Sequence, residues 1–320
     1  MRNRLLILSF HRVLPQADPF RRGDITVDAF ERICASLSRF FRVMTLGDAA
    51  HRMREHGTLP DRALTLTFDD GFADNAEIAA PVLARHGLKA TFFVSTGFLD
   101  GSIMFNDAII EALRTARRDT LDLSELHGEL SGTRPLDTLE ARVALSKELE
   151  GALKYREPQE RLALTRKLAT LLDADNAPSL MMTPEQVAQM AEQGIEIGGH
   201  TVNHPILREL SPDAALEEIR TGRDRLQAIT QRGVASFAYP NGRPGQDYDA
   251  TTVAAVEAAG FTQAVTTAWG AARCDDDPLQ LPRLTFWDRR ALTFVPRMLS
   301  YYVRGGRGEQ LPRESAVEVA

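Results

Sequence analysis

The run ALTLTFDDG at residues 63–71 places a short, largely apolar stretch directly before two carboxylates and a glycine. Such a stretch, when turn residues follow it, is typical of a strand buried on both faces in a parallel sheet. Similar runs occur at residues 5–10, 90–94, 195–198, 235–238 and 263–266. Helical spacing of apolar residues separates them, at residues 28–40, 46–55, 75–86, 184–193, 212–230 and 249–259. The alternation predicts an α/β fold with parallel strands, built either as an open sheet or as a closed barrel.

One segment departs from this alternation. Residues from about 102 to 180 contain no convincing strand but do contain charged amphipathic stretches. We expect a helical insertion in one strand–helix loop, which either caps a substrate groove, binds a partner or is a solvated scaffold. A single domain is expected over residues 1–303. Residues 304–320 are poor in apolar side chains and rich in glycine, which predicts a flexible tail.

Composition excludes several classes of protein. The chain has 320 residues, and 44 Asp and Glu against 38 Lys and Arg give a net charge of −6. This balance argues against binding to nucleic acid by phosphate neutralisation. The only cysteines, Cys34 and Cys274, cannot build a disulfide framework or a thiolate zinc site. Any metal must therefore be held by carboxylates and by some of the seven histidines.

The N-terminal apolar run, Leu5–Phe10, is too short for the core of a signal peptide. No run approaches the roughly 18 apolar residues that a membrane span needs. The expectation is a cytoplasmic protein without a membrane span.

Two clusters with metal chemistry each follow a predicted strand. Asp69 and Asp70 follow the strand 63–68, and His200 and His204 follow the strand 195–198. Adjacent carboxylates at a strand end point in different directions, so one can bind a metal while the other moves a proton. Asp70 with the two imidazoles gives three ligands and an open position, the pattern of a catalytic zinc site. The alternatives are a plain Asp-Gly turn and two surface histidines.

A third cluster, Ser236–Gly242, contains a Pro-Asn-Gly turn. Besides its role as a turn, it offers the backbone N–H of Asn241 to a developing oxyanion.

Together these clusters resemble the NodB-type polysaccharide deacetylases, carbohydrate esterase family 4. Residues 67–71 match the family's Thr-Phe-Asp-Asp-Gly motif, and residues 200–204 match His-Ser/Thr-x-x-His. Residues 90–94 also look like the family's flanking strand, and the resemblance covers roughly residues 3–100 and 180–290. It implies a distorted (β/α)7–8 barrel with a helical insertion. The start Phe-His-x-Val at 10–13 resembles the exopolysaccharide and biofilm-type branch.

The resemblance implies that Asp69 is the general base and that Asp70, His200 and His204 hold one divalent metal ion. Zinc suits this ligand set best, although nickel, cobalt or manganese can occupy it. The resemblance further implies substrate contacts from Tyr239, Pro240 and Trp269, with core packing as the alternative for Trp269.

The chain departs from the family at two points. The third motif lacks the arginine that tethers the base, and Arg283 is the expected substitute, a surface arginine being the alternative. The family's late Leu-x-His acid is also missing, because no histidine follows His204. His11 is expected at the same barrel face as the metal, where it is the replacement acid, a substrate contact or a structural histidine. Asp69 could instead carry the proton in both directions.

The resulting hypothesis is a hydrolase of non-peptide amide bonds that removes N-acetyl groups from an amino sugar in a polysaccharide or glycolipid precursor. The expected partners are an N-acetylated glycan and, through the insertion, polysaccharide-synthesis machinery. The alternatives are a non-catalytic carbohydrate-binding relative and a deacetylase of a non-polymeric substrate. A glycosidase fits poorly, because its two carboxylates flank the sugar about 5–10 Å apart.

Overall fold

The computed structural model of the chain describes residues 3–127, 129–285, 291–306 and 308–312. Its strands are β1 Arg4–Phe10, β2 Val13–Leu14, β3 Ile25–Thr26, β4 Arg42–Val43, β5 Ala63–Phe68, β6 Thr91–Val94, β7 Thr120–Asp122, β8 Thr133–Pro135, β9 Glu196–Gly199, β10 Ser236–Ala238, β11 Gln263–Trp269, β12 Ala272–Arg273 and β13 Leu281–Thr285. Its α-helices are α1 Val27–Phe40, α2 Leu46–His56, α3 Ala80–Arg85, α4 Phe105–Arg114, α5 Leu123–Leu126, α6 Leu139–Leu153, α7 Pro158–Leu171, α8 Pro184–Glu192, α9 Pro212–Thr230, α10 Ala250–Ala258 and α11 Ala291–Arg304.

Seven parallel strands close into a barrel. Their order is β1–β13–β11–β10–β9–β6–β5, and β5 pairs back with β1 over six residue pairs. The predicted barrel is therefore confirmed with seven strands, and the open sheet is excluded. The register of β11 against β13 shifts between Val265 and Trp269, which is the main distortion of the barrel wall.

The seventh strand, β13, is absent from the runs that the apolar pattern predicts. Pro282 and Arg283 interrupt its apolar residues, and a proline within a run argues against a strand. Another difference concerns the predicted helix 75–86. It opens with a π-helical turn at Asn75–Ala79 before α3 begins.

Helix α2 closes one end of the barrel. A buried apolar cluster joins residues of six barrel strands, such as Ile7, Phe93 and Val265, to Leu46 and Met53 of α2. At the start of this helix, the Leu46 N–H donates to Thr91 Oγ1, the side chain of the first residue of β6. Because α2 covers the end where the strands begin, the carboxyl ends of the strands form the open rim, where barrel enzymes carry their active sites.

The chain divides into two compact units. The barrel unit comprises Met1–Gln16, Gly23–Asp100 and Met182–Ala320, and the inserted unit comprises Ala17–Arg22 and Gly101–Met181. The sequence gives no sign that Ala17–Arg22 is part of the second unit. That unit has its own apolar core, in which α4, α6 and α7 contribute residues such as Leu113, Leu149 and Leu168. The assignment of residues 1–303 to a single domain stays a prediction.

The expectation that the insertion contains no strand is wrong. Strands β7 and β8 pair antiparallel within it. Each has only three residues and little apolar character, so no periodic pattern marks it.

Within the described residues, none of the helices combines the length and the apolar character needed to cross a bilayer. A cytoplasmic location stays a prediction. The predicted flexible tail also stays one for residues 313–320, which lie outside the described residues. Before them, the Leu311 N–H donates to Gln280 Oε1 at 2.9 Å, so the chain is still bound to the barrel there.

Candidate active site

Asp69 and Asp70 leave the end of β5 in different directions. The Asp69 N–H donates to Phe10 O at 2.9 Å, which extends the β5–β1 ladder by one residue. Asp70 then takes a φ of +77° and Gly71 a φ of +90°, so the chain turns sharply between the carboxylates. A Cβ on Gly71 would lie 2.9 Å from Val94 Cγ1, so only glycine fits this turn without strain.

The second loop brings two imidazoles to Asp70. His200 follows β9, and positive φ values at Thr201 (+66°) and His204 (+51°) curl the loop back on itself. The Nε2 atoms of His200 and His204 each lie 3.4 Å from Asp70 Oδ1. Non-glycine residues with positive φ are rare and cluster at functional sites, where surrounding contacts hold them in place.

The chemistry of these three side chains fits a divalent cation. One ligand atom from each of Asp70, His200 and His204 lies within 4.8 Å of the others. Asp70 Oδ1 is buried and accepts no hydrogen bond within the described part of the chain. His200 Nδ1 lies 2.7 Å from Ala238 O, which can only accept, so Nδ1 carries a proton and, in the neutral imidazole, Nε2 keeps the lone pair that a metal would need. The resulting set of one carboxylate and two imidazoles matches a catalytic metal site.

Arg283 lies against the other carboxylate. Its side chain, on β13, is almost fully buried, and Nη1 donates to Asp69 Oδ1 at 2.8 Å. Nη1 also lies 3.2 Å from Thr67 Oγ1, and Nε donates to Thr266 O at 2.9 Å. The guanidinium is thus held from two further strands, and it is not the surface arginine that the alternative described.

Burial and charge act in opposite senses on the two carboxyls. Burial alone raises the pKa of Asp69, but the charges of Arg283 and His200 outweigh it and lower that pKa below its ordinary value. Burial also opposes ionisation of Asp70, yet the His200 and His204 imidazoles hold its pKa far below the ordinary range. Both groups are therefore carboxylates at neutral pH.

The two imidazoles differ as well. Burial lowers the pKa of His204 to about 4, and the Asp70 charge opposes this only in part. Burial also acts to lower the pKa of His200, but Asp70 and Asp69 outweigh it and raise that pKa.

The third loop presents a backbone donor at the same rim. Asn241 follows the end of β10 with a φ of +60°, and Thr267 Oγ1 donates to its carbonyl oxygen at 2.8 Å. The Gly242 N–H donates to Pro240 O at 2.7 Å, which tightens the turn. Among the described residues, no acceptor binds the Asn241 N–H. This donor remains available to a ligand.

The two aromatic residues predicted to contact substrate differ in exposure. Tyr239 is buried and stacks on Tyr248 with ring centroids 4.1 Å apart, and its hydroxyl donates to Leu279 O. These contacts occupy the Tyr239 side chain, so its assignment to substrate is wrong. Trp269 is 51 % exposed, which rules out core packing, and its ring lies against Tyr301 at 5.7 Å. Pro240 is buried within the turn.

His11 lies close enough to act electrostatically on the cluster. It directly follows β1, and its side chain is exposed. Burial raises the pKa of Asp69 and of Asp70, and the charge of His11 adds to the charges of the other neighbours that lower both pKa values. The roles left open for His11, which are replacement acid, substrate contact and structural histidine, stay predictions.

The sequence interpretation misses Ser95, which connects the two loops that carry the candidate metal ligands. Its N–H donates to Asp70 O at 3.2 Å, and its hydroxyl donates to His200 O at 2.8 Å. The available signal is its position. Ser95 directly follows β6, which lies between β5 and β9 in the barrel, so it comes between the loops that carry the ligands.

Comparison with known proteins gives one family. The model of the polysaccharide deacetylase family matches residues 56–124 and 157–264. A curated relative, YxkH of Bacillus subtilis (strain 168), is 22 % identical over 244 residues, which are 76 % of this chain. The chain spans only 58 % of the length of that relative.

Solved structures show the same fold. The Streptococcus pyogenes deacetylase PplD, solved with acetate, superposes with a TM-score of 0.62 at 19 % identity, covering 93 % of this chain and 99 % of that one. IcaB from Ammonifex degensii superposes with a TM-score of 0.58 at 20 % identity, covering 92 % and 97 % of the two chains.

Proposed function

Because the chain belongs to the polysaccharide deacetylase family, we propose that it is a metal-dependent deacetylase acting on the N-acetyl group of an amino sugar in a polysaccharide or glycolipid precursor. One observation carries the proposal. A buried carboxylate fixed by an arginine, Asp69, is the immediate neighbour of a carboxylate that faces two imidazoles. Amide hydrolysis needs both a base and an electrophilic centre, and this rim offers residues for both.

Asp70, His200 and His204 would hold the divalent ion, and zinc is the first candidate, before nickel, cobalt and manganese. When bound, such an ion polarises the amide carbonyl and lowers the pKa of water from about 15.7 towards about 7. The other steps belong to the protein. Asp69 takes the proton of the attacking water, and Arg283 keeps this carboxylate ionised and oriented. The Asn241 N–H donates to the oxygen that becomes negative as the tetrahedral centre forms.

The last step is cleavage of the C–N bond. The nitrogen leaves with the bonding pair and needs a proton to depart as a free amine, while acetate is the other product. We assign this proton to His11, because its exposed side chain lies within electrostatic reach of Asp69 and Asp70. The alternative donor is Asp69 itself, once it has taken the proton of the water.

A non-catalytic carbohydrate-binding relative is the second candidate, and the altered third motif is the observation that favours it. A binding protein, however, has no use for a buried carboxylate held by an arginine beside a metal-ligand set. Recognition of polysaccharide-synthesis machinery through the inserted unit stays a prediction.

Acetate release tests the proposal. The protein, loaded with one equivalent of zinc, is incubated with N-acetylglucosamine oligomers and with other N-acetylated glycans, and free acetate is measured. Release of acetate together with new free amines is expected, and chelation should stop it. Binding of these glycans without release of acetate from any of them would instead support the binding relative.

A further inference from the structure

Hydrogen bonds hold the segment that carries His11 against the turn that follows the Asp-Asp-Gly motif. Asn75 Nδ2 donates to His11 O at 2.8 Å. The Val13 N–H donates to Asp74 Oδ1 at 3.1 Å, and Arg12 Nε donates to Asp74 Oδ2 at 2.7 Å. Three successive residues are thus bound by two neighbouring side chains. We call these contacts the His11 clamp.

The clamp is built from buried groups. Asn75 is fully buried, and both Asp74 and the Arg12 side chain are nearly so. The Arg12 guanidinium also lies over the ring of Phe72, 4.7 Å from its centroid. A buried amide with a defined partner is costly to disturb, so these contacts fix the local backbone.

The clamp side chains lie at an irregular point of the fold. Asp74 precedes the π-helical turn Asn75–Ala79 and Asn75 begins it. Turns of this kind inside helices are frequent at functional sites. Asn75 Oδ1 is buried without a hydrogen-bond partner among the described residues. This oxygen therefore does not accept a bond from the free backbone N–H groups at the start of its own helix.

We propose that Asn75 and Asp74 are positioning residues for the proton donor. They hold the backbone of His11 against the turn after Asp69, so that the imidazole stays where the departing nitrogen can take its proton. The inference rests on the proposed function and deepens it, because it assigns a task to two side chains outside the family motif. The predicted consequence is selective. Loss of the clamp slows reactions whose leaving group needs a proton and spares the others.

Leaving-group dependence separates this role from general damage. An amide nitrogen must be protonated to leave, whereas an aryl oxide such as 4-nitrophenolate leaves without a proton. Each variant is therefore assayed on N-acetylglucosamine oligomers and on 4-nitrophenyl acetate, with bound zinc measured on the same samples. Asn75→Asp keeps the size of the side chain but removes the N–H donor to His11 O. Glu77→Gln, in the same π-helical turn but bonded to Gln186, is the matched control.

His11→Ala is expected to lower kcat/KM for the amide about 100-fold, the usual contribution of a proton donor. Asn75→Asp should lower it about 10-fold or more, and both should change the aryl ester less than about threefold. The double variant should be no slower than His11→Ala, because Asn75 acts through His11. Glu77→Gln should match the wild type. If Asn75→Asp fails to fold, Asp74→Asn takes its place, which removes the negative charge opposite Arg12 and the acceptor of the Arg12 Nε hydrogen bond but keeps an oxygen for the Val13 N–H.

Three outcomes overturn the inference. The first is an equal loss on amide and ester in the clamp variant, and the second is an additive loss in the double variant. The third is unchanged hydrogen–deuterium exchange over residues 11–14 in Asn75→Asp, since loss of the bond to His11 O must loosen the backbone of this segment even though Asp74 still accepts from the Val13 N–H. The proposed function fails in a different way, through a zinc-loaded wild type that releases no acetate from any N-acetylated glycan. Wild-type amide turnover with unaffected variants overturns the clamp alone.

Discussion

The barrel unit and the inserted unit both bury charged side chains, but they neutralise them differently. In the inserted unit, Arg21 lies 2.5 Å from Asp107, and Arg114 lies 2.6 Å from Asp18. Both of these guanidinium groups meet a carboxylate of opposite charge. In the barrel unit, by contrast, the Asp70 carboxylate faces two imidazoles, one of which resists protonation because burial lowers its pKa to about 4.

This difference distinguishes a network of structural ion pairs from a candidate metal site. A network of oppositely charged partners neutralises itself and mainly orients its own elements. A carboxylate that faces imidazoles in their neutral form still lacks a positive partner, and a divalent cation supplies one. The Asp69–Arg283 pair shares one feature with each group. It is a self-neutralising ion pair, but it lies next to the candidate metal ligands.

The largest effect on metal binding and turnover is expected at Asp70, the carboxylate that would face the divalent cation. Asp70→Ala removes the carboxylate ligand, so it should abolish stoichiometric zinc binding and lower acetate release at least about 1000-fold. Bound metal per chain and kcat/KM are the measurements. Asp48→Ala, which removes an exposed carboxylate bonded to Lys89, is the control and should retain both. Full metal content in Asp70→Ala would contradict the ligand assignment.

Arg283→Met tests the neutral pair in the barrel. It leaves the Asp69 carboxylate buried without its guanidinium, so the free energy of unfolding should fall by about 3–5 kcal/mol. Acetate release should fall about 10- to 100-fold because the base is no longer oriented, while zinc stays bound. Urea unfolding and turnover are measured beside Arg85→Met, an exposed arginine paired with Glu31. Wild-type stability in Arg283→Met would mean that the pair is not required.

Arg21→Met makes the corresponding change in the inserted unit. Asp107 is fully buried, so loss of the Arg21 charge beside it should also cost about 3–5 kcal/mol of unfolding free energy, with metal content unchanged. The double variant Arg21→Met/Asp107→Leu should regain most of this stability, because an apolar pair avoids the desolvation of two charges. Loss of zinc in Arg21→Met would show that the two networks are not separate.

The smallest effect is a pH dependence in the same unit. Burial, with the nearby charge of Asp107, raises the pKa of the half-buried Glu150 above its ordinary value. The folded state therefore binds this proton more tightly, and ionised Glu150 costs stability above its folded pKa. Glu150→Gln should raise Tm by a few degrees near pH 7.5, and the gain should vanish as the pH falls through about 4.3, the ordinary pKa of Glu.

Thermal melts at several pH values measure this gain. Asp137→Asn removes an exposed loop carboxylate and is the control, so it should leave Tm unchanged at every pH measured. A gain for Glu150→Gln that stays constant from pH 4 to about 7.5 would contradict the assignment.

Sequence reasoning succeeds here where a local pattern determines the outcome. The strand Ala63–Phe68 and the helix Pro212–Thr230 have the predicted bounds, because a continuous apolar run before turn residues marks the strand, and helical spacing after the capping residue Ser211 marks the helix. The proximity of Asp70 to His200 and His204 follows from one rule, that parallel strands end at the same rim.

It fails where the outcome depends on packing between distant segments. Whether Tyr239 points to the site or into the core is decided by Tyr248, which the local sequence cannot reveal. The inclusion of Ala17–Arg22 in the inserted unit depends on partners of Arg21 that are more than eighty residues away. The prediction that Arg283 lies beside Asp69 depends on the family pattern, because the third motif of this chain lacks the arginine that the family has there.

The most direct test of the account measures bound zinc and acetate release in one preparation of Asp69→Asn. The base and the ligand set are neighbours in sequence but have separate tasks, so the variant should bind one zinc per chain, as the wild type does. It should release acetate from N-acetylglucosamine oligomers at least about 1000-fold more slowly than the wild type. Turnover close to that of the wild type, or loss of the zinc together with the carboxylate, would contradict the division of labour between Asp69 and Asp70.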